Sequence, residues 1–205
     1  MKRILIPLFL VVCLLGVSVF YILKNIDMRS YRKTGPLLAF GDSLTEGYGT
    51  AHDNNYVVSL ENRIGEPIIN AGVGGATTYS ALDRLEQDVL LHKPRIVIIL
   101  LGANDMIQEK PLDETFDNLS RIIDLIRKDH ARVLLLGIEE GPNSYEYKVR
   151  FDALAEGKKV AYVPDILRGI MGNTEYMYDQ IHPNDGGYEK MAERIEPELE
   201  KMLGK

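Results

Sequence analysis

Five short apolar runs punctuate the chain between residues 36 and 164, each closed by glycine, proline or charge. They are PLLAF before Gly41, EPIIN before Ala71 and Gly72, RIVIILL before Gly102, RVLLLGI near Glu139, and KVAYV before Pro164. Runs of this length without polar alternation predict strands buried on both faces of a parallel sheet. Between them, apolar residues recur at helical spacing. Leu82, Leu85, Val89 and Leu90 follow the N-cap candidates Thr77 and Thr78. Phe116, Leu119, Ile122, Ile123 and Ile126 follow Asp113. Met191, Ile195, Leu199 and Met202 form a last stripe, with Asn184 or Asp185 as its cap. Two further helices are expected, over residues 56–64 and 145–156. Alternating strands and helices with short joins predict a single open, doubly wound α/β sandwich with right-handed crossovers and helices on both faces.

Residues 4–23, ILIPLFLVVCLLGVSVFYIL, depart from this pattern and carry no charge. As a helix they would span about 30 Å, the thickness of a bilayer's hydrocarbon core. Lys2 and Arg3 favour a cytoplasmic N-terminus, although Lys24, Arg29, Arg32 and Lys33 follow the run and weaken the asymmetry. The run is long for a cleaved signal peptide, and no A-x-A-like site follows it. The expectation is an uncleaved anchor and juxtamembrane tether over residues 1–34. The domain of residues 35–205 would then lie outside the cytoplasm, periplasmic or at the cell surface, and would be secreted if the segment were cleaved. Cys13, the single cysteine, sits inside the run after the bulky Val12 and reads as a membrane-helix residue rather than a lipidation site.

The net charge of −6 argues against nucleic-acid binding, which calls for a basic face. With 45% hydrophobic and 26% charged residues the remainder is an ordinary folded domain. His52, His92 and His130 stand in polar contexts without ligand spacing. Neither H-E-x-x-H nor a cysteine pair occurs, so no metal site is expected.

In an open α/β sheet, ligands bind beyond the carboxyl ends of the strands. Four segments fall there: Gly41-Asp42-Ser43-Leu44-Thr45, Asn70-Ala71-Gly72-Val73-Gly74-Gly75, Gly102-Ala103-Asn104-Asp105, and Asp179-Gln180-Ile181-His182-Pro183. Together they hold the parts of an acyl-transfer site. A serine hydroxyl attacks only if a base takes its proton, and His182 is the candidate base. Asp179, three residues earlier, can fold back to hold the other imidazole nitrogen. The Ser43 N–H, a glycine N–H from the second loop and the Asn104 amide can face the oxyanion.

GDSLT, a glycine-bearing second loop, G-x-N-D and D-x-x-H-P, in this order and spacing, resemble the SGNH (GDSL) hydrolases from Leu38 to about Ile195. The likeness is nearest to the small bacterial thioesterase, lysophospholipase and arylesterase branch. It implies a flavodoxin-like α/β/α sandwich with strand order 2-1-3-4-5 and a serine esterase using Ser43, Asp179 and His182. It also implies oxyanion donors on Ser43, Gly75 and Asn104, a small-molecule or lipid ester as substrate, and no metal or organic cofactor. Gly75 is chosen over Gly72 and Gly74 by the pattern N-A-x-x-x-G-x-T. Asp42 and Asp105 match positions that order loops by hydrogen bonds.

Each segment also has a bland reading: Ser43 as a helix cap, Gly102 to Asp105 as a strand-to-turn step, Asp179 to Pro183 as the lead into the last helix. Their co-occurrence favours chemistry. The second loop misses a dinucleotide fingerprint, since Thr77 stands where the third glycine belongs, and Ser43 lacks the G-x-S-x-G elbow of α/β-hydrolases. Glu139, Glu140, Tyr145 and Tyr147 follow the fourth strand, either lining the substrate mouth or solvated. Alternatives of the same fold are a carbohydrate O-acetylesterase or an acyltransferase. A non-catalytic envelope binding module stands as the reading from another class.

Overall fold

The computed structural model describes residues 31–50, 54–141 and 144–205. The apolar run at residues 4–23, Cys13 and His52 lie outside them. Among the described residues no helix is long and apolar enough to cross a membrane. The compact unit runs from Tyr31 to Lys205.

Five parallel strands form its sheet: β1 (Leu37–Gly41), β2 (Ile68–Gly72), β3 (Ile96–Leu100), β4 (Arg132–Leu136) and β5 (Ala161–Val163), in the order β2-β1-β3-β4-β5. Seven α-helices are interspersed with them among the described residues, α1 (Ser43–Glu46), α2 (Tyr56–Ile64), α3 (Thr78–Asp88), α4 (Ala103–Ile107), α5 (Leu112–Lys128), α6 (Ser144–Lys158) and α7 (Asp185–Leu203), with a 3₁₀ turn at Leu90–His92. The chain steps left from β1 to β2 and thereafter right. Right-handed crossovers therefore put α2 on one face and α3, α5 and α6 on the other. The packing agrees: α2 lies against α7, while α3 packs on α5 and α5 on α6. Arg63 of α2 reinforces the first pair, reaching Glu189 and Glu196 of α7 at 2.5 and 2.7 Å.

The central strands follow their sequence closely. Every residue of β1 and β3 is buried, as is all of β4 except Arg132. The edge strands do not: in β2 only Ile68 is buried and in β5 only Val163, because each has a neighbour on one side alone. Helix α3 begins at Thr77, which forms a capping box with Ser80, and α7 begins at Asn184. Asp113 is not a cap. Helix α5 starts one residue before it, after Pro111, and Asp113 sits in the first turn, where its charge complements the helix dipole. Helices α1 and α4 span too few residues to show a helical period.

Ile98 sits fully buried at the centre of β3. Ile98→Ala is expected to lower the unfolding free energy by about 2–5 kcal/mol, read from urea midpoints at constant m-value.

Candidate active site

Strand β1 delivers Ser43 to the carboxyl edge of the sheet, in the first turn of α1. The Asp42 carboxylate caps that turn by accepting from the Leu44 N–H at 3.0 Å. Across the site, Asp179 and His182 share one loop before α7. The loop is a tight turn: the Asp179 Oδ1 accepts from the Ile181 and His182 N–H groups at 2.8 and 2.7 Å. That fold brings Asp179 onto its own loop's imidazole, with His182 Nδ1 at 2.9 Å from Oδ2 and 3.1 Å from Oδ1. The other ring nitrogen, Nε2, lies 3.0 Å from Ser43 Oγ. Desolvation pushes the Asp179 carboxyl up, but the two backbone donors and the imidazole outweigh it and hold it below the usual carboxylate range. An ionised Asp179 only accepts, so Nδ1 carries the proton and Nε2 accepts from the serine hydroxyl.

The loops after β1, β2 and β3 are laced together. Asn104, in α4, donates through Nδ2 to the Ala76 carbonyl at 3.1 Å and to Asp42 Oδ2 at 3.3 Å. Asp105 reaches the other way, accepting from the Thr78 N–H at 2.8 Å and the Thr78 hydroxyl at 2.6 Å, so it pins the start of α3. Asn70 Nδ2 donates to the Thr45 carbonyl at 2.8 Å. Arg84 of α3 clamps two strand ends, donating to the Gly41 carbonyl at 2.6 Å and the Ala71 carbonyl at 2.9 Å, with its guanidinium 4.3 Å from the Phe40 ring centre. The glycines of the second loop differ in role. At Gly72 a Cβ would stand 2.1 Å from the Glu46 nitrogen, so that position is demanded by close packing on α1. Gly75 adopts φ +74°, is exposed, and borders the cavity beside Asn104.

That cavity, of about 490 Å³, opens from Ser43, Asn104 and His182 and is walled mainly by Leu44, Met106, Ile107, Ile138, Leu167 and Met171. Glu140 borders it, and desolvation, with Asp165 and Glu139 nearby, raises its carboxyl above the ordinary value. Tyr147 is instead buried in the core against Phe116, and Tyr145 is exposed. His92 and His130 are exposed. Asn70 and Thr78 are marked in the sequence only as the start of the second loop and as a cap candidate; their contacts lie 25 and 27 positions away. Arg84 carries no sequence signal, since it acts on backbone 13 and 43 positions away. Tyr48, whose ring lies against His182, was equally unmarked.

A cavity at the switch point of the sheet with a serine hydroxyl set against an imidazole is the arrangement that serine hydrolases use. The GDSL-like Lipase/Acylhydrolase family model matches residues 39–190, and the chain belongs to that family. An arylesterase of Vibrio mimicus is 31% identical over 93% of this chain and 98% of its own length. The Thioesterase 1/protease 1/lysophospholipase L1 of Escherichia coli is 27% identical over 82% and 84%. The crystal structure of TesA superposes with a TM-score of 0.77 at 31% identity, covering 82% of this chain and 99% of that one. The protein is therefore an ester-hydrolysing enzyme, and the binding-module reading gives way.

Asp42 is fully buried, and desolvation raises its carboxyl from 3.8 to about 7 despite the Leu44 N–H. Between those values the folded chain holds a proton that the unfolded chain has released. Stability from this group is thus complete below pH 3.8 and lost as pH rises to about 7, at about 1.4 kcal/mol per pH unit. Asp42→Asn removes that slope. Urea midpoints of the variant should gain on those of the wild type steadily from pH 4 to pH 7.

Proposed function

We propose that the enzyme cleaves carboxylic esters or thioesters through an acyl-enzyme on Ser43, with His182 as general base and Asp179 as its orienting carboxylate. The unbroken chain Ser43 Oγ to His182 Nε2 at 3.0 Å and His182 Nδ1 to Asp179 at 2.9 Å supports this reading most directly. As Ser43 Oγ bonds to the substrate carbonyl carbon, its proton passes to Nε2 and the carbonyl oxygen takes the negative charge. The proton then passes to the departing alkoxide or thiolate as the bond to it breaks. Water, losing a proton to His182, next attacks the acyl-serine; the Ser43 Oγ–acyl bond breaks, Oγ takes that proton back and the acid is released.

The oxyanion is assigned to the Ser43 N–H, the Gly75 N–H and the Asn104 amide. The first belongs to the opening turn of α1, where the helix supplies no partner. Asn104 gives one amide hydrogen to the Ala76 carbonyl at rest. An oxyanion is the stronger acceptor and draws that hydrogen when it forms.

The acyl group is assigned to the apolar cavity. Its size and its aliphatic walls suit chains longer than acetyl, and this favours lysophospholipid-like, thioester and aryl ester substrates over acetylated sugars. Transfer to an acceptor other than water would use the same residues. For the chain as a whole, we propose a membrane anchor and tether over residues 1–34 and an extracytoplasmic hydrolase domain over residues 35–205. The charge-free run at 4–23 supports this. Carbonate washing should leave the full-length protein with the membrane, and release into the soluble fraction would refute the anchor.

A fluorophosphonate probe should label the wild type and not Ser43→Ala. Labelling that survives the substitution would end the assignment of the nucleophile. Asn104→Ala should reduce kcat by about 10²–10³ with little change in labelling specificity. In a p-nitrophenyl ester series, each methylene buried in the cavity contributes about 0.8 kcal/mol, so kcat/KM should climb up to about fourfold per methylene beyond acetate until the cavity is full. A profile that falls from acetate onward would favour the acetylesterase alternative.

A further inference from the structure

We propose that Tyr48 is a positioning residue that holds the His182 imidazole against sideways displacement from Ser43; the proposal rests on the reading of His182 as the general base. Two hydrogen bonds hold that imidazole, one through Nδ1 to Asp179 and one through Nε2 to Ser43. They act at opposite ends of the ring. A hydrogen bond resists stretching more than sideways displacement, so the imidazole and the loop that carries it stay soft to movement across the line of the two bonds. A packing contact beside the ring opposes that movement.

Tyr48 supplies that contact. Its ring centre lies 4.5 Å from that of His182, inclined at 52°. The ring is itself buttressed by Tyr178, edge-on at 6.1 Å and 81°. The backbone of Tyr48 is held at both polar groups. Its N–H donates to the Ser43 carbonyl at 3.0 Å, and its carbonyl accepts from the fully buried Tyr188 hydroxyl at 2.8 Å. Tyr178 is tied to the base loop in turn, its N–H donating to the His182 carbonyl at 2.8 Å. The segment that carries the serine and the segment that carries the base are thus clasped by an aromatic pair outside the hydrogen-bonded chain.

Core packing does not account for the pair. Tyr48 is 53% exposed and Tyr178 62% exposed, so more than half of each residue stays in water after folding. Tyr48 also borders the cavity, which sets up the rival reading that it only contacts substrate. The two roles separate in kinetics. A cavity wall acts on KM and acyl-chain preference, whereas a support for the base acts on kcat with every substrate.

Face and edge contacts of this kind contribute about 0.5–1.5 kcal/mol, corresponding to roughly two- to tenfold in rate. Tyr48→Leu should therefore lower kcat by up to about tenfold while KM moves less than twofold, equally for acetyl and octanoyl esters. Tyr48→Phe, which keeps the ring, should restore kcat to within about twofold of wild type. Inactivation by diisopropyl fluorophosphate uses the serine and the base but leaves the acyl cavity largely empty, so its rate should fall in parallel with kcat. Raised KM with kcat and inactivation rate retained would overturn the proposal and leave Tyr48 a cavity wall. If Tyr48→Leu does not fold by circular dichroism, Tyr178→Leu carries the test. It should lower kcat about twofold or more at constant KM, and unchanged kcat would overturn the proposal. Ser43→Ala runs alongside: inactivation that persists there refutes the nucleophile assignment, whatever the tyrosine variants do.

Discussion

The hydrogen bond between Ser43 and His182 joins side chains 139 positions apart at 3.0 Å, and the fold has to hold their carriers to within about half an ångström for it to exist. No local structure does this. Ser43 rides on the end of a fully buried strand, and His182 on a loop whose exit helix is tied back to α2 through Arg63. Parallel strands bring all their carboxyl ends to one edge, so loops remote in sequence arrive there together. The sheet supplies coarse convergence, and shorter-range polar contacts set the final distances.

Those contacts are mostly buried, and several rest on acidic or basic side chains. Asp42 and Asp105 are each almost completely removed from water, and each spends its carboxylate on neighbouring loops rather than on solvent. Placing a carboxylate there is unfavourable unless donors surround it, and for Asp42 the cost shows in a carboxyl raised to about 7. What stability gives up, geometry gains: the acid behind the proposed nucleophile fixes both the turn that presents it and the amide assigned to the oxyanion. Arg84 repeats the device with opposite charge, drawing the carbonyls of Gly41 and Ala71 to one guanidinium.

Where burial is uniform, the sequence is a good guide. The central strands and α2 sit where their apolar residues place them, and Thr77 and Asn184 cap their helices. Legibility fails where the controlling interaction is not local. Edge position exposes β2 and β5 despite apolar runs, and α1 and α4 are too short to leave a period. The four motif-bearing segments were legible through the side-chain types they carry, and they meet at one cavity. Arg84 and Tyr48 were not, since a helix arginine and an exposed tyrosine look ordinary until their distant partners are known.

Asp179 and His182 sit on a single turn, with the carboxylate also bonded to the backbone of that turn. Acid and imidazole consequently travel as one body. Any shift of the loop preserves their mutual alignment and concentrates the whole error in the gap to the serine oxygen. Loosening here behaves as a rheostat on one distance, so an orienting partner is never lost by degrees while the hydroxyl contact survives.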